Sequence, residues 1–390
     1  MKKIVLQFLV MMAIGSFAFV GCQKSGSGGT SSTGTSTSSG DSSSSTLIGI
    51  AMPETHVQRW QKDGAALKSY AESRGYRAEV AYGDADQAVQ NRQIGNFLTN
   101  GAKAIIIGSV NEGVISAVAD AAQDKVQVIA YDRIISGSAD YDYYITFNNF
   151  KVGQFQGQGI EQGLNLKAAT ADAPKTITLF AGSPTDGNAF FFYDGAMSVL
   201  NPYIEQGVLK VVGPYPQTSK DSANFQRIAT ENWQAPIAKT RMENLLNNDA
   251  KDVVLDAVLA PNDTLARAII EACLADAKYT SKLPVVTGQD AEAASTASIK
   301  NGQQYMTVFK DTTKLAEAAV ILADQIVKLQ AINIPGATLA SEDLLSIGDT
   351  GKKVVKAYLL EPILITKDNW KVPVDANFYT TEEITTNGLK

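Results

Sequence analysis

Three apolar runs in this chain end in polar residues able to hold a small ligand. Val128–Tyr131 runs into Asp132-Arg133, Val253–Val258 leads to Pro261-Asn262-Asp263, and Val285–Thr287 runs into Gly288-Gln289-Asp290. A carboxylate accepts two or more hydrogen bonds, a guanidinium donates up to five and a side-chain amide does both. The hydroxyls of a sugar, each donor and acceptor, match that mixture. Arg59 stands beside Trp60, and Trp233 lies just before Pro236; the C–H face of a pyranose can stack on an indole. Each residue also has an ordinary use. Asn262 or Asp263 can cap the helix that follows, and both tryptophans can be core. The run Phe190-Phe191-Phe192-Tyr193 cannot bury four consecutive positions on one helix face, so part of it is expected at a cleft. Recurrence at several strand ends favours a ligand site over isolated caps.

These residues need elements to carry them. The apolar spacing predicts strand 47–52, helix 58–74, strand 77–82, helix 87–100, strand 104–108, helix 112–124 and strand 127–131. The rhythm resumes with strand 176–181, helix 188–200, strand 208–212, helix 224–248, strand 253–259, helix 262–277 and strand 284–287. Strands alternating with helices, and rich in Val, Ile and Leu without polar alternation, imply parallel sheets covered on both faces. Two successive sets imply an α/β protein of two doubly wound lobes. Ligands of open α/β sheets bind beyond the carboxyl ends of the strands, where the polar groups collect.

The amino terminus reads as an export signal. Met1-Lys2-Lys3 precedes an apolar run over 4–20, and Gly21-Cys22 follows. Residues 1–21 are expected to form a lipoprotein signal peptide, with Cys22 as the lipidation site. Phe19 stands where leucine is usual before such a cysteine, which makes export the firmer half of this reading. A membrane-spanning helix is the alternative, but the run is near the lower limit for a span. Residues 22–45 are almost wholly Ser, Gly and Thr after Lys24, too polar to fold. They are expected to act as a flexible tether reaching roughly 25 Å. The predicted setting is periplasmic, or the outer face of a cell membrane, with the lipid as the sole membrane contact.

The remaining ~345 residues are too many for one ordinary core and suit two lobes. A net charge of −6 argues against nucleic acid. With one histidine, His56, and two cysteines in the whole chain, a His-rich metal site is excluded and a Ser-His-Asp system would have to use His56. Cys273, in the run Leu265, Ile269, Ile270, Leu274, is expected in the core.

From about Leu47 onward the chain resembles the type I periplasmic binding proteins of the ribose/xylose/galactose group, most of all the multiple-monosaccharide and xylose binders. The marks are Ala51-Met52-Pro53 with Arg59-Trp60, Ala130–Arg133, Tyr143-Tyr144 with Thr146-Phe147, and Gly182-Ser183-Pro184. Others are the block Asn188–Ser198, Gly288–Glu292, Phe309–Thr312 and Tyr358-Leu359-Leu360. The resemblance implies Arg59, Asp132 and Arg133 as first-lobe sugar partners, with Trp60 on one face of the ring. Asn188, Asn262, Asp290 and Lys310 would be second-lobe or hinge partners, with Trp233 or Phe190 on the other face. Asp263 is an alternative to Asn262. Asn148 stands where the family has an aspartate, which puts that contact in doubt. No calcium loop is evident, and no metal or cofactor is implied.

The resemblance further implies lobes of residues 46–150 with 311–357, and 151–310 with 358–390. Three crossings are expected near Asn149–Lys151, Phe309–Asp311 and Ala357–Leu359. It implies a monomer that hinges shut on a monosaccharide of the glucose, galactose or xylose type and delivers it to an ABC-type permease, with a chemoreceptor as a further partner known in the family. Three rivals stand beside this reading. A glycosidase would use Asp132 and Asp290, but Arg133 and Lys310 beside them would hold both ionised. A repressor of the same fold would need a DNA-binding segment that is not seen. A receptor for a nucleoside or other non-sugar ligand would use the same indoles.

Overall fold

The computed structural model describes residues 45–55 and 57–386. The expectations for the signal peptide, Cys22, the tether up to residue 44 and His56 lie outside the described residues. In chain order the first elements are β1 (Leu47–Met52), α1 (Gln58–Ser73), β2 (Arg77–Tyr82), α2 (Gln87–Thr99), β3 (Ala104–Ile107), α3 (Ile115–Gln123), β4 (Gln127–Tyr131) and β5 (Tyr143–Phe147). Then come α4 (Asn149–Gly163), β6 (Lys175–Leu179), α5 (Gly187–Glu205), β7 (Leu209–Val211), α6 (Ser222–Ile228), α7 (Ala235–Asn247), β8 (Ala257–Leu259), α8 (Asp263–Leu274), β9 (Val285–Val286), α9 (Ala293–Asn301) and β10 (Met306–Phe309). The chain ends through α10 (Thr312–Val327), β11 (Ala337–Leu339), β12 (Lys356–Leu360), β13 (Ile363–Thr366), α11 (Val372–Asp375) and α12 (Thr381–Thr386).

Two sheets result. The first has the order β11-β12-β5-β4-β3-β1-β2, parallel except at the edge strand β11. The second has the order β7-β6-β8-β9, all parallel. A ribbon of β10 and β13 completes it. The first sheet is buried on both faces at its central strands, because β1 and β3 are apolar throughout and β4 is apolar after its first residue. Ile48, Ile50, Ile106 and Ile129 pack with Leu67 of α1 and Leu315 and Leu322 of α10. On the other face Ile105, Ile107 and Val128 pack with Ile94 and Phe97 of α2 and Val118 of α3. The second sheet repeats the plan, with Val258 and Val286 against α7 and α8 and Ile177 and Leu179 against α5. Each such side chain contributes about 1.5–3 kcal/mol on full burial. This is the type I periplasmic binding protein fold.

Three expectations are corrected. The stretch 224–248 is not one helix: it breaks between α6 and α7, with Asn232 and Trp233 at φ +48° and +55°. Pro236 explains the break, since inside a helix it would lose a backbone bond and clash with the carbonyl four residues earlier. The segment Ala357–Leu359, expected near a crossing, is instead part of a strand of the first sheet. Tyr358, Leu359 and Leu360 belong to β12, paired with β5 through Leu360↔Phe147, and all three are buried in the first sheet's two apolar layers. Glu361-Pro362 then carries the chain to β13. The strand expected over 253–259 is confined to 257–259.

Cys273 is buried, and burial pushes its thiol up to about 12. Among the described residues no helix is long and apolar enough to cross a membrane, and no cluster of His, Cys, Asp and Glu could hold a metal ion.

Candidate functional site between the two sheets

Asp132 follows β4 directly and sits at φ +62°. Its N–H donates to Ile145 O at 2.9 Å. Its carbonyl accepts from the Tyr144 hydroxyl (2.9 Å), the Thr146 hydroxyl (3.2 Å) and the Asn188 amide (2.8 Å). The backbone is thus over-determined, which allows a sparsely populated conformation to persist. The last of these bonds joins the two sheets, since Asn188 opens α5 of the second. Asn188 Oδ1 in turn accepts from Asn149 Nδ2 at 2.7 Å.

The carboxylate faces cations. Arg59 Nη2 lies 3.1 Å from Asp132 Oδ1 and 2.8 Å from Asp63 Oδ2, which also accepts from the Tyr131 hydroxyl at 3.1 Å. Burial alone raises the Asp132 carboxyl, but Arg59, Lys310 and Arg133 outweigh it and hold the group below its usual range. Burial likewise lowers Arg59, yet Asp132, Asp63 and Asp290 keep its guanidinium well above the ordinary value. The guanidinium groups of Arg59 and Arg133 lie 4.5 and 5.1 Å from the centre of the Trp60 ring.

The second sheet answers from its own strand ends. Asp186 caps α5 with one oxygen, 3.0 Å from Asn188 N. Its other oxygen accepts from Trp233 Nε1 at 3.2 Å and lies 3.3 Å from Arg133 Nε, an ion pair between the two sheets. Trp233 lies against Gly182, where any Cβ would stand 2.0 Å from the indole. Lys310, only 4% exposed, pairs with Asp290 at 2.9 Å and lies 5.4 Å from the Phe192 ring centre. Asn262 caps α8 by accepting from Leu265 N at 2.9 Å.

The loop bearing Gln289 and Asp290 is moulded around Asp263. That carboxylate is fully buried and accepts from Gln304 Nε2, the Thr307 hydroxyl and Glu292 N, each at 2.9 Å. Asp263 N–H donates to Gln289 O at 3.0 Å and Asp290 N–H to Val308 O at 2.8 Å. A Cβ on Gly288 would lie 2.1 Å from Asp263 Oδ1. Asp290 and Ala291 are held at φ +90° and +46°. Burial, with Glu292 nearby, pushes the Asp263 carboxyl well above its ordinary value.

One central hollow of about 50 Å³ is lined by Arg59, Trp60, Asp132, Arg133, Asn188, Trp233, Asn262, Asp290 and Lys310. Phe190 is the exception among the residues expected there. It packs on Phe225 at 5.0 Å and lines a different hollow, while Phe192, two positions on and turned about 200° around the helix, takes its place. Asp263 lies under the site rather than at its surface, and Asn148 caps α4 at Lys151 N. Sequence reasoning passed over Glu54 and Asp186, and placed Gln289 in a strand-end group without giving it a role; all three also line the hollow. Gln289 is 2% exposed, and its Oε1 finds no hydrogen-bond donor among the described residues. Its place between Gly288 and Asp290 at a strand end was the available signal. Wider hollows of about 300 and 640 Å³ adjoin on either side, sharing Arg59, Asp290 and Lys310, and Arg133, Asp186 and Trp233 respectively.

Comparison with known proteins agrees with this architecture. The periplasmic binding protein domain matches residues 48–331. The chain belongs to the periplasmic binding protein family. It is 40% identical over 341 residues to the multiple sugar-binding periplasmic receptor ChvE of Rhizobium radiobacter, covering 86% of this chain and 92% of the relative. To the D-xylose-binding periplasmic protein of Escherichia coli it is 34% identical over 326 residues, covering 83% and 88%. Among solved structures, an ABC transporter solute-binding protein from Clostridium phytofermentans with bound β-D-glucose superposes with a TM-score of 0.76 at 36% identity, covering 87% of this chain and 99% of that one. A carbohydrate transporter solute-binding protein from Chloroflexus aurantiacus in complex with D-glucose gives 0.75 at 30% identity, covering 86% and 97%.

Proposed function

We propose that this protein is a lipid-anchored substrate-binding component of an ABC importer, and that it takes a monosaccharide into the central hollow. The ring of donors and acceptors around that hollow, with the Gln289 amide oxygen unanswered, carries this reading. A buried acceptor without a donor costs about 1–3 kcal/mol, and a ligand hydroxyl would supply the donor. Trp60 and Trp233 would cover the faces of the ring. Arg59, Asp132, Arg133, Asn188, Asn262, Asp290 and Lys310 would bond its hydroxyls.

The hollow is small beside ligand sites of roughly 300–1,000 Å³. Admission therefore requires the Arg133–Asp186 and Asp290–Lys310 pairs to yield and the lobes to part about the three crossings. Closure then follows only as far as the sugar binds the closed form better. Charged hydrogen bonds at about 1.5–3 kcal/mol each and neutral ones near 1 suffice for the roughly −8 kcal/mol of micromolar binding. Cys22 would carry the lipid, and the tether would keep the receptor near its permease, raising the effective concentration.

A thermal-shift panel of glucose, galactose and xylose against nucleosides tests the proposal. Stabilisation by one or more of the sugars is expected. A response to nucleosides alone would transfer the site to a base, and turnover of an aryl glycoside would make it an enzyme.

A further inference from the structure

The ligand site occupies the carboxyl ends of the strands, and the amino ends of the first sheet carry a different surface. Four of its strands carry an exposed cation at or just before their start: Lys125 stands two residues before β4 and Lys103 immediately before the adjacent β3, while Lys356 opens β12 and Arg77 opens β2, each one strand further out. Backbone bonds set the row. Lys356 N–H donates to Asp142 O at 2.9 Å, Gln127 N–H to Lys103 O at 3.1 Å, Lys103 N–H to Leu47 O at 2.9 Å and Arg77 N–H to Thr46 O at 3.0 Å. The nearby acids are largely engaged: Glu79 lies 3.5 Å from Arg77, and Asp142 lies 2.8 Å from Lys353. Asp124 adjoins Lys125. A cation after a helix end, as Lys125 is after α3, has an ordinary reason in the carbonyl dipoles there, and Lys356 lies 5.8 Å from the Tyr143 ring centre; Lys103, four residues past α2, is beyond the last turn over which that dipole acts.

Beside Lys103 and Lys125 opens a hollow of about 450 Å³, walled by Tyr143, Val327, Leu329 and Ile332. Leu329 is 94% exposed and sits at φ +55°, an uncommon conformation for a leucine. Cations around an exposed aliphatic group run against a chain of net charge −6. The chain also enters the sheet at this end, since Ser45 and Thr46 lead straight into β1.

We infer that this end of the first sheet rests on an anionic lipid surface, with Lys103, Lys125 and Lys356 over the head groups and Leu329 among them. The proposed anchor at Cys22 explains why a membrane is near; the surface itself is read from the side chains. Each cation close to an anionic leaflet strengthens binding about fivefold, so three give about a hundredfold. That is weak for a free protein and sufficient for one already tethered. The ligand cleft, at the opposite strand ends, then faces away from the bilayer.

Residues 45–390 form a compact unit with its own core, so that fragment can be tested without the anchor. Cosedimentation with phosphatidylglycerol vesicles is expected, with little on phosphatidylcholine and loss at high salt. Lys103→Glu with Lys125→Glu should reduce partitioning at least about 25-fold by the same per-charge factor, and Leu329→Ser by a few-fold. Lys210→Glu with Lys282→Glu, at exposed positions of the second lobe, changes the net charge equally and should leave partitioning nearly unchanged. Equal loss in the two double variants, or no preference for phosphatidylglycerol, would overturn the inference. An unchanged melting midpoint and an unchanged sugar response establish that the variants are folded. Vesicle binding that persists in a protein unresponsive to every sugar would defeat the proposed function and uphold this inference.

Discussion

Asp132 lies directly past β4 in the first sheet and Asp263 opens α8, four residues past β8 in the second, and both are buried. Their surroundings drive them in opposite directions. Asp132 lies among Arg59, Arg133 and Lys310 and is held below its ordinary value. Asp263 accepts from an amide, a hydroxyl and a backbone N–H, and burial pushes it well above. Position at a strand end therefore does not assign a carboxylate its role; its partners do. The first faces a hollow with charge compensated and oxygens to offer, whereas the second spends both oxygens on holding the loop that presents Gln289 and Asp290.

The largest effect should come from breaking the brace. Asp263→Ala strands Gln304, Thr307 and Glu292 N in the interior and should cost about 3–5 kcal/mol of stability, read by chemical denaturation. A loss under 1 kcal/mol would mean that the loop keeps its shape unaided. Asp132→Asn keeps the left-handed backbone accessible and leaves Arg59 its Asp63 partner. It should weaken sugar binding by about 1.5–3 kcal/mol with little change in the free protein's melting midpoint. Calorimetry showing wild-type affinity would remove Asp132 from the ligand's partners. Trp233→Ala should cost about 1–3 kcal/mol of binding, as aromatic stacking does on other ligands; an unchanged titration would move the indole to the core.

The smallest and most diagnostic effect is on pH dependence. For Asp132 the folded value lies below the unfolded one, near 3.8. Its stabilisation is present above that value and is lost as pH falls through the folded value. For Asp263 the folded value is raised, so the folded state holds the proton more tightly and stability declines as pH rises from about 3.8 toward it. Asp132→Asn should thus flatten the acid limb of a stability–pH curve. Asp263→Asn should remove a decline above pH ~4. Identical curves for the two variants would dissolve the contrast.

Much of this arrangement is legible in the residues. β1, β2 and β4 were readable end to end: β1 is an uninterrupted apolar run, β4 is one after Gln127, and β2 alternates charged and apolar residues at its start, each being closed by a polar residue or turn. Asn262 shows why weighing cap against ligand was the wrong contest: one oxygen caps α8 while the residue still borders the hollow. Asp186 escaped notice for the same reason, having been a cap by every local sign. Phe190 and Phe192 could not be told apart, since a one-residue error in helix phase turns a side chain by about 100°. The role of Asp263 was invisible because its partners Gln304 and Thr307 lie some forty residues away in sequence.

The chain alone thus settled the alternation of elements, the pair of parallel sheets and the gathering of acid, base and amide groups at strand ends, because periodicity and strand polarity are local properties. The folded structure alone decided which of those groups meet. Pairing Arg133 with Asp186, or turning Phe192 rather than Phe190 inward, depends on how two sheets are set against each other, and no local pattern records the distance between residues that only packing brings together.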